Sequence, residues 1–249
     1  MLKFVALGLA IMAAPPLQAM AAAGAEQPAA KSTAADATVL ARLMSPRDLL
    51  VDMEVREFDK HFVASLRSDP DMKSLDDDYP GLFEAMHKAS RGLVAEAMGR
   101  SVDQIHRSVA KLIESSFSPA DIVELSDFYR SPVGQKTVRQ MAASADAGQV
   151  YQRAIEDREF KLTEDQIAAQ LHDNAQKTVQ NFTPDEQTQM MLFMAKPCFG
   201  KLAKAQPQIK KILADEFNAP DPEFDRQVEQ AMGAAIEQHI ASFEKTGGK

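Results

Sequence analysis

The sequence predicts an all-α protein, a multi-helix bundle of roughly eight helices in which two similar helical units pack together. Apolar residues recur at intervals of three and four along most of the chain, which is the spacing of one face of a helix. No run of four or more residues alternates with the β-branched and aromatic content that is typical of a strand. The 249 residues are enough to bury a sizeable core, as one domain or as two closely packed halves.

The first 21 residues have the order of a secretory signal peptide. Lys3 precedes an apolar run of eleven residues, 4–14, and Ala19-Met20-Ala21 supplies a cleavage site of small residues. Crossing about 30 Å of hydrocarbon takes about 20 residues, so this run is too short to remain as a transmembrane span. The single cysteine, Cys198, is far from this segment, so we expect no lipid anchor. We predict cleavage near Ala21 and a periplasmic or secreted product.

The remainder divides into a short tail and one helical domain. Residues 22–36 lack large apolar side chains and predict a disordered tail, and residues 37–249 predict an all-helical domain. The stretch from Pro80 to Ser116 carries two apolar stripes that change beside Gly99, so it is one bent helix of about 55 Å or two helices joined there. The acidic stretch 69–81 (DPDMKSLDDDYPG) is expected to be the longest loop.

An internal repeat is indicated at an offset of 65 residues. Residues 117–132 (FSPADIVELSDFYRSP) align with residues 182–197 (FTPDEQTQMMLFMAKP). Each copy would contain a long helix, a three-turn helix and a further helix, and we expect the two units over residues 80–145 and 164–217. The four identical pairs are Phe117/Phe182, Pro119/Pro184, Phe128/Phe193 and Pro132/Pro197.

Two serine-proline pairs in the first copy predict a helical corner. The hydroxyl of Ser118 can accept a hydrogen bond from a free amide of the first turn, and Pro119 has no N–H to leave unpaired there. Ser131 and Pro132 repeat this start and end the first helix after three turns. The alternative is a small pocket or interaction site at the corner, with Arg130 facing an anion. Its candidate residues are Phe128, Tyr129, Arg130, Ser131, Pro132, Gly134 and Gln135.

The same stretch, residues 117–136, resembles the characteristic segment of a bacterial family known as domain of unknown function 2059 (DUF2059). Members carry a proline-led helix, a phenylalanine-tyrosine pair and then serine-proline-x-glycine. The second copy departs from this pattern, with Met194, Lys196 and Phe199 at the positions of Tyr129, Ser131 and Gly134. The resemblance implies an exported, all-helical domain, and no established activity comes with it. The matching residues are Pro119, Phe128, Tyr129, Ser131, Pro132 and Gly134.

Charge and motif content argue against several classes of function. The net charge of −8 opposes binding to nucleic acid or to anionic lipid, since both use clusters of Lys and Arg. The five histidines form no HExxH motif, and the acidic loop has Ser74 and Pro80 where an EF-hand needs glycine and glutamate. We therefore predict no cofactor and no catalytic, cofactor-binding or metal-binding residue.

One sulfur pattern invites a copper interpretation. Met190, Met194 and Cys198 are spaced by four and could present three sulfurs on one helix face to cuprous copper. The aligned positions in the first copy, Leu125, Tyr129 and Val133, are of a type that packs in a core. We therefore favour buried methionine and cysteine over a metal site.

Two hypotheses about function follow. The first is a non-catalytic binding or protein-interaction module of the cell envelope, which contacts another envelope protein or itself through grooves between helices. The second is a hydrolase or other enzyme whose site is assembled from scattered residues such as Glu57, His61, Tyr129 and Arg130. A shallow apolar groove would favour the first, and convergent polar groups in a deep cleft would favour the second.

Overall fold

Helices account for 89% of the residues that the computed structural model describes, which are 34–144, 161–245 and 247. No strand occurs among these residues, so the all-α prediction is confirmed. Ten helices are present in the described ranges, two more than expected. They are α1 (Ala34–Met44), α2 (Arg47–Ser68), α3 (Pro70–Asp78), α4 (Leu82–Ser116), α5 (Pro119–Arg130), α6 (Pro132–Ala143), α7 (Glu164–Gln180), α8 (Pro184–Met194), α9 (Pro197–Asn218) and α10 (Pro222–Lys245).

Helix α4 is the central element of the bundle. It runs unbroken for 35 residues, about 52 Å, which settles the choice between one helix and two. Helices α1, α2, α9 and α10 all pack against it. Gly99 lies inside α4 because Arg47 passes over it: a side-chain carbon at position 99 would lie 2.1 Å from Arg47 Nη2.

The apolar side chains form two core clusters that share α4. The larger cluster joins α1, the second half of α4 and helices α5 to α9, and Ile105 and Val109 of α4 lie within it. The smaller cluster packs Phe58 and Phe62 of α2 against the first half of α4 and against Phe224 of α10. His106 ties the start of the chain to α4, since its Nε2 donates a hydrogen bond of 2.7 Å to the carbonyl oxygen of Ser45.

The prediction of a long acidic loop over residues 69–81 is wrong. Residues 70–78 form α3, because local side-chain contacts favour a helix over a solvated loop. The carboxylate of Asp69 accepts a hydrogen bond from the Met72 amide at 3.4 Å, which caps the first turn. Lys73 then forms an ion pair with Asp77 four residues later, at 2.5 Å.

The prolines at helix starts behave as the sequence predicts. Each of α5, α6, α8 and α9 begins with a proline, at Pro119, Pro132, Pro184 and Pro197. In α5 and α8 the residue before the proline, Ser118 or Thr183, forms a reciprocal capping box with the acidic residue three positions later. The corners of the bundle are therefore fixed locally by capping.

The predicted signal peptide lies outside the described residues. So does the predicted tail, apart from residues 34–36, which belong to α1. Within residues 34–144 and 161–245, every helix is too short or too polar to cross a membrane.

Candidate functional site

The predicted corner lies between α5 and α6, and its two serines perform the capping that the sequence indicates. Ser118 Oγ accepts from the Asp121 amide at 3.3 Å, and the Asp121 carboxylate accepts from the Ser118 amide at 2.8 Å. Ser131 Oγ accepts from the Gly134 amide at 3.1 Å and donates to the Phe128 carbonyl oxygen at 2.7 Å. The helical-corner interpretation is therefore confirmed.

The candidate residues of the corner divide between core and solvent. Tyr129 is 1% exposed, and Phe128 stacks on Phe193 of α8 with 3.7 Å between ring centroids. Arg130 is exposed and lies 3.9 Å from Asp127, so its nearest described anion is on its own helix. Gln135 donates to the carbonyl oxygen of Arg130 at 3.2 Å. These contacts hold the corner together, and a ligand role for it stays a prediction.

Gly134 is required by the tightness of the corner. A side-chain carbon at this position would lie 2.0 Å from the carbonyl oxygen of Phe128 and 2.9 Å from the Cα atom of Tyr129. Both contacts are with backbone atoms, which cannot rotate away. The glycine of the family pattern therefore has a structural cause here.

The contact between α5–α6 and α8–α9 is reciprocal at the offset of 65 residues. Lys136 of α6 pairs with Glu186 of α8 at 2.6 Å, and Lys201 of α9 pairs with Asp121 of α5 at 2.5 Å. Adding 65 to Lys136 and Asp121 gives Lys201 and Glu186, so the two ion pairs exchange roles. The Phe128–Phe193 stack between them joins two positions that are themselves 65 apart. An interface of this kind is isologous, with the same patch used on both sides.

The polar residues of the enzyme hypothesis do not form a visible site. Glu57 and His61 meet on α2, with 3.5 Å between Oε2 and Nε2, as their spacing of four predicts. Tyr129 lies in the core, and burial raises the pKa of its hydroxyl, so it stays protonated. A hydroxyl in this position is not open to a substrate from solvent.

The three sulfurs of the copper interpretation lie on two helices. Helix α8 ends at Met194, and Cys198 belongs to α9, which begins at Pro197. Burial, with Glu124 nearby, raises the pKa of the Cys198 thiol to about 12. The thiolate that binds a soft metal is therefore disfavoured at neutral pH. Among the described residues, no three His, Cys, Asp or Glu side chains cluster as metal ligands would.

The largest cavity lies elsewhere, between α6, α7, α8 and α9. Its volume is about 640 Å³, within the range of small-ligand and peptide sites. Four methionines contribute to its wall, and the exposed apolar side chains of Val179, Met191 and Leu192 extend the apolar surface at its edge. We call it the methionine groove. It is lined by Thr137, Met141, His172, Ala175, Gln176, Thr178, Val179, Gln180, Phe182, Gln187, Met190, Met191, Met194 and Phe199.

The sequence analysis placed Met190 and Met194 in a core and did not identify this groove. A signal for it exists in residues 190–194 (MMLFM), five consecutive apolar residues that surround a whole turn of α8. A helix that is apolar on every side cannot satisfy all of its faces from one neighbouring layer. In the structure Phe193 is 4% exposed, while Met191 and Leu192 are 59% and 66% exposed.

Comparison with known proteins gives one match. The family model described as "Uncharacterized protein conserved in bacteria (DUF2059)" matches residues 103–157, which confirms the resemblance over that segment. The described part of the segment covers the second half of α4, then α5 and α6, with the corner near its middle. No curated protein and no solved structure matches the chain.

Replacement of Gly134 by alanine should destabilise the protein by about 1–3 kcal/mol, because the new methyl group collides with backbone atoms. Urea denaturation measures the free energy of unfolding. Gly200 is the matched control, since it lies early in α9 with open space around its Cα atom. Gly200→Ala should leave stability unchanged or raise it by up to about 1 kcal/mol. Equal effects of the two substitutions would contradict the close approach at the corner.

The two reciprocal ion pairs should make stability depend on pH in the acid range. Burial raises the pKa of Asp121, but hydrogen bonds from Lys201 and Ser118 outweigh it and lower the pKa overall. The hydrogen bond from Lys136, with help from Thr183, lowers the pKa of Glu186. Their stabilisation is therefore present above the ordinary carboxyl pKa of about 4, and it is lost as the pH falls through the lower folded values.

The double variant Lys136→Met/Lys201→Met tests this dependence. It should be less stable than the wild type at pH 7, and its unfolding free energy should fall less steeply between about pH 4 and pH 2. Lys177→Met is the control, because its pair with Asp173 lies on the surface of α7 and should contribute little. Parallel pH profiles for the wild type and the double variant would show that the pairs do not stabilise the fold.

Tyr129→Phe should leave the unfolding free energy unchanged or raise it by about 1 kcal/mol. The buried hydroxyl has no hydrogen-bond partner among the described residues, and an unsatisfied polar group in a core is costly. Tyr79→Phe, at a partly exposed position, serves as the control in the same denaturation experiment. A loss of more than about 1 kcal/mol in Tyr129→Phe would mean that the hydroxyl has a partner, and it would revive the corner as a site.

Proposed function

We propose that the protein is an exported, non-catalytic interaction module of the bacterial cell envelope that binds another protein through the methionine groove. The groove carries the proposal: it is an apolar cavity of about 640 Å³ between helices, the geometry that favours a binding module. Methionine side chains are flexible and polarizable, so a surface rich in them adapts to apolar partners. Export rests on the composition of residues 1–21, which has the order of a signal peptide.

Exposed apolar surface around the groove supports a protein partner. Val179, Met191 and Leu192 are 49%, 59% and 66% exposed and lie on the neighbouring helices α7 and α8. A contiguous apolar patch on a water-soluble surface is costly unless something covers it for part of the time. The acidic composition of the chain, with a net charge of −8, makes nucleic acid an unfavourable partner.

The reciprocal contacts support the two-unit organisation that the sequence predicts. Ion pairs that exchange roles at a constant offset, with an aromatic stack between them, are expected where two copies of one helical unit pack face to face. In this proposal the units stabilise each other, and the second unit provides α7, α8 and α9 for the groove.

The enzyme hypothesis has less support in the described residues. Its candidates Glu57 and His61 lie on α2, and the Tyr129 hydroxyl is enclosed in the core. The methionine groove contains one ionisable side chain, His172, and the other polar groups of its wall are hydroxyls and amides. A lone histidine without an adjacent nucleophile or carboxylate gives no acid–base pair.

An affinity experiment with a matched pair of variants tests the proposal. The wild-type protein, Met191→Glu and Val123→Glu are immobilised and exposed to an extract of the bacterial envelope. Met191 and Val123 are 59% and 58% exposed, on α8 and α5, so both variants place a new charge on a surface helix without disturbing the core. We expect one polypeptide to be retained by the wild type and by Val123→Glu, and to be lost from Met191→Glu.

Two outcomes would contradict the proposal. Retention that is equal in all three proteins would move the interaction away from the methionine groove. No retained polypeptide, together with a strictly monomeric wild-type protein in analytical ultracentrifugation, would remove both the heterologous partner and self-association. Circular dichroism of each variant confirms that the helical fold is intact before the comparison is made.

A further inference from the structure

Helices α5 and α8 correspond residue by residue at the offset of 65, but one face of each has a different environment. Ser126 on α5 is 5% exposed, and its counterpart Met191 on α8 is 59% exposed. Tyr129 is buried, while its counterpart Met194 is only partly buried. The same helix face is therefore covered in the first unit and open in the second.

The cover in the first unit is helix α1. It packs against both α4 and α5 and belongs to the same core cluster as Ile122 and Leu125 of α5. Its contacts come from one apolar stripe, and all four side chains of that stripe are at most 1% exposed. They are Ala37, Leu40, Ala41 and Met44. A short amphipathic helix thus fills the groove between the long helix and the three-turn helix of this unit.

The equivalent groove in the second unit is the methionine groove. Three of its wall positions, Ala175, Thr178 and Met190, correspond at the offset of 65 to the buried residues 110, 113 and 125 of the first unit. Helices α6 and α9 flank the methionine groove and have counterparts beside the α1 groove. Beyond these two, no helix in the described parts of the chain packs across α7 and α8.

We propose that the methionine groove binds an amphipathic α-helix of a partner protein, and that this helix takes the place that α1 has in the first unit. The inference rests on the proposed function and specifies the partner: a helix whose contact face is uncharged and carries alanine with leucine or methionine, as α1 does. Recognition of an apolar helix face by a hydrophobic groove is a recurrent mode of peptide binding.

Charge and length both fit such a ligand. The fourteen side chains that line the groove include no Asp, Glu, Lys or Arg, so an uncharged helix face meets no unpaired charge there. Helices α1 and α8 each have 11 residues, about 16 Å. A ligand helix of about three turns therefore covers the whole of α8, as α1 covers α5.

The chain supplies its own probe for this proposal. A synthetic peptide with the sequence of α1, AADATVLARLM, is titrated into the purified protein, whose methionine methyl groups carry a 13C label. We expect the methyl signals of Met190, Met191 and Met194 to shift and that of Met86, in the smaller cluster, to stay unchanged.

Matched variants and a matched peptide give the titration its specificity. Met191→Glu should weaken peptide binding by at least about tenfold, because it places a charge against an apolar helix face, and Val123→Glu should leave the affinity unchanged. A peptide with Leu40→Asp, which puts a charge on the apolar stripe, should shift none of these signals. This combination of results would support the proposal.

Other outcomes would overturn it. Shifts at Met44 would mean that the peptide exchanges with α1 in the first groove. No shift at millimolar peptide would mean that the groove takes another ligand, or that residues 145–160 of the same chain, which join α6 to α7, already fill it. In the last two cases a polypeptide from the envelope extract that still depends on Met191 would leave the proposed function standing, so the two failures are distinguishable.

Discussion

The stack between Phe128 and Phe193 is the contact on which the rest of the larger cluster depends. The rings lie nearly parallel, 6° apart in orientation and 3.7 Å between centroids, and they hold α5 against α8. One ion pair lies on each side of the stack, so the two helix pairs α5–α6 and α8–α9 keep a fixed orientation. Because α6 and α9 form two walls of the methionine groove, this contact also sets the width of the groove.

The contrast between the two sides of this interface gives the molecule its character. On one side the chain covers a three-turn helix with its own residues, and on the other it leaves a helix of equal length uncovered. The residues follow this difference: position 126 is a serine within a packed interior, whereas its counterpart at position 191 is a methionine in contact with solvent. A methionine at such a position tolerates water and still packs well when an apolar surface approaches.

The sequence was sufficient for the elements that local chemistry decides. Apolar spacing predicted the helices, and Ser118-Pro119 and Ser131-Pro132 predicted two of their starts, because capping depends on neighbouring residues alone. It was misleading for α3, where the density of aspartates suggested a solvated loop while Asp69 and the Lys73–Asp77 pair favour a helix. It did not predict the methionine groove, because periodicity identifies an apolar helix face but not whether a distant segment such as α1 lies over it.

The sharing of α4 between the two clusters has a consequence for unfolding. Its first half packs on Phe58 and Phe62 and its second half on the larger cluster, so loss of either cluster strips one half of a helix that the other still needs. Cutting the chain within residues 82–116 would therefore leave neither fragment with a complete interior. The described parts of the chain are best treated as a single cooperative unit, in which heat or denaturant should melt both clusters in one transition.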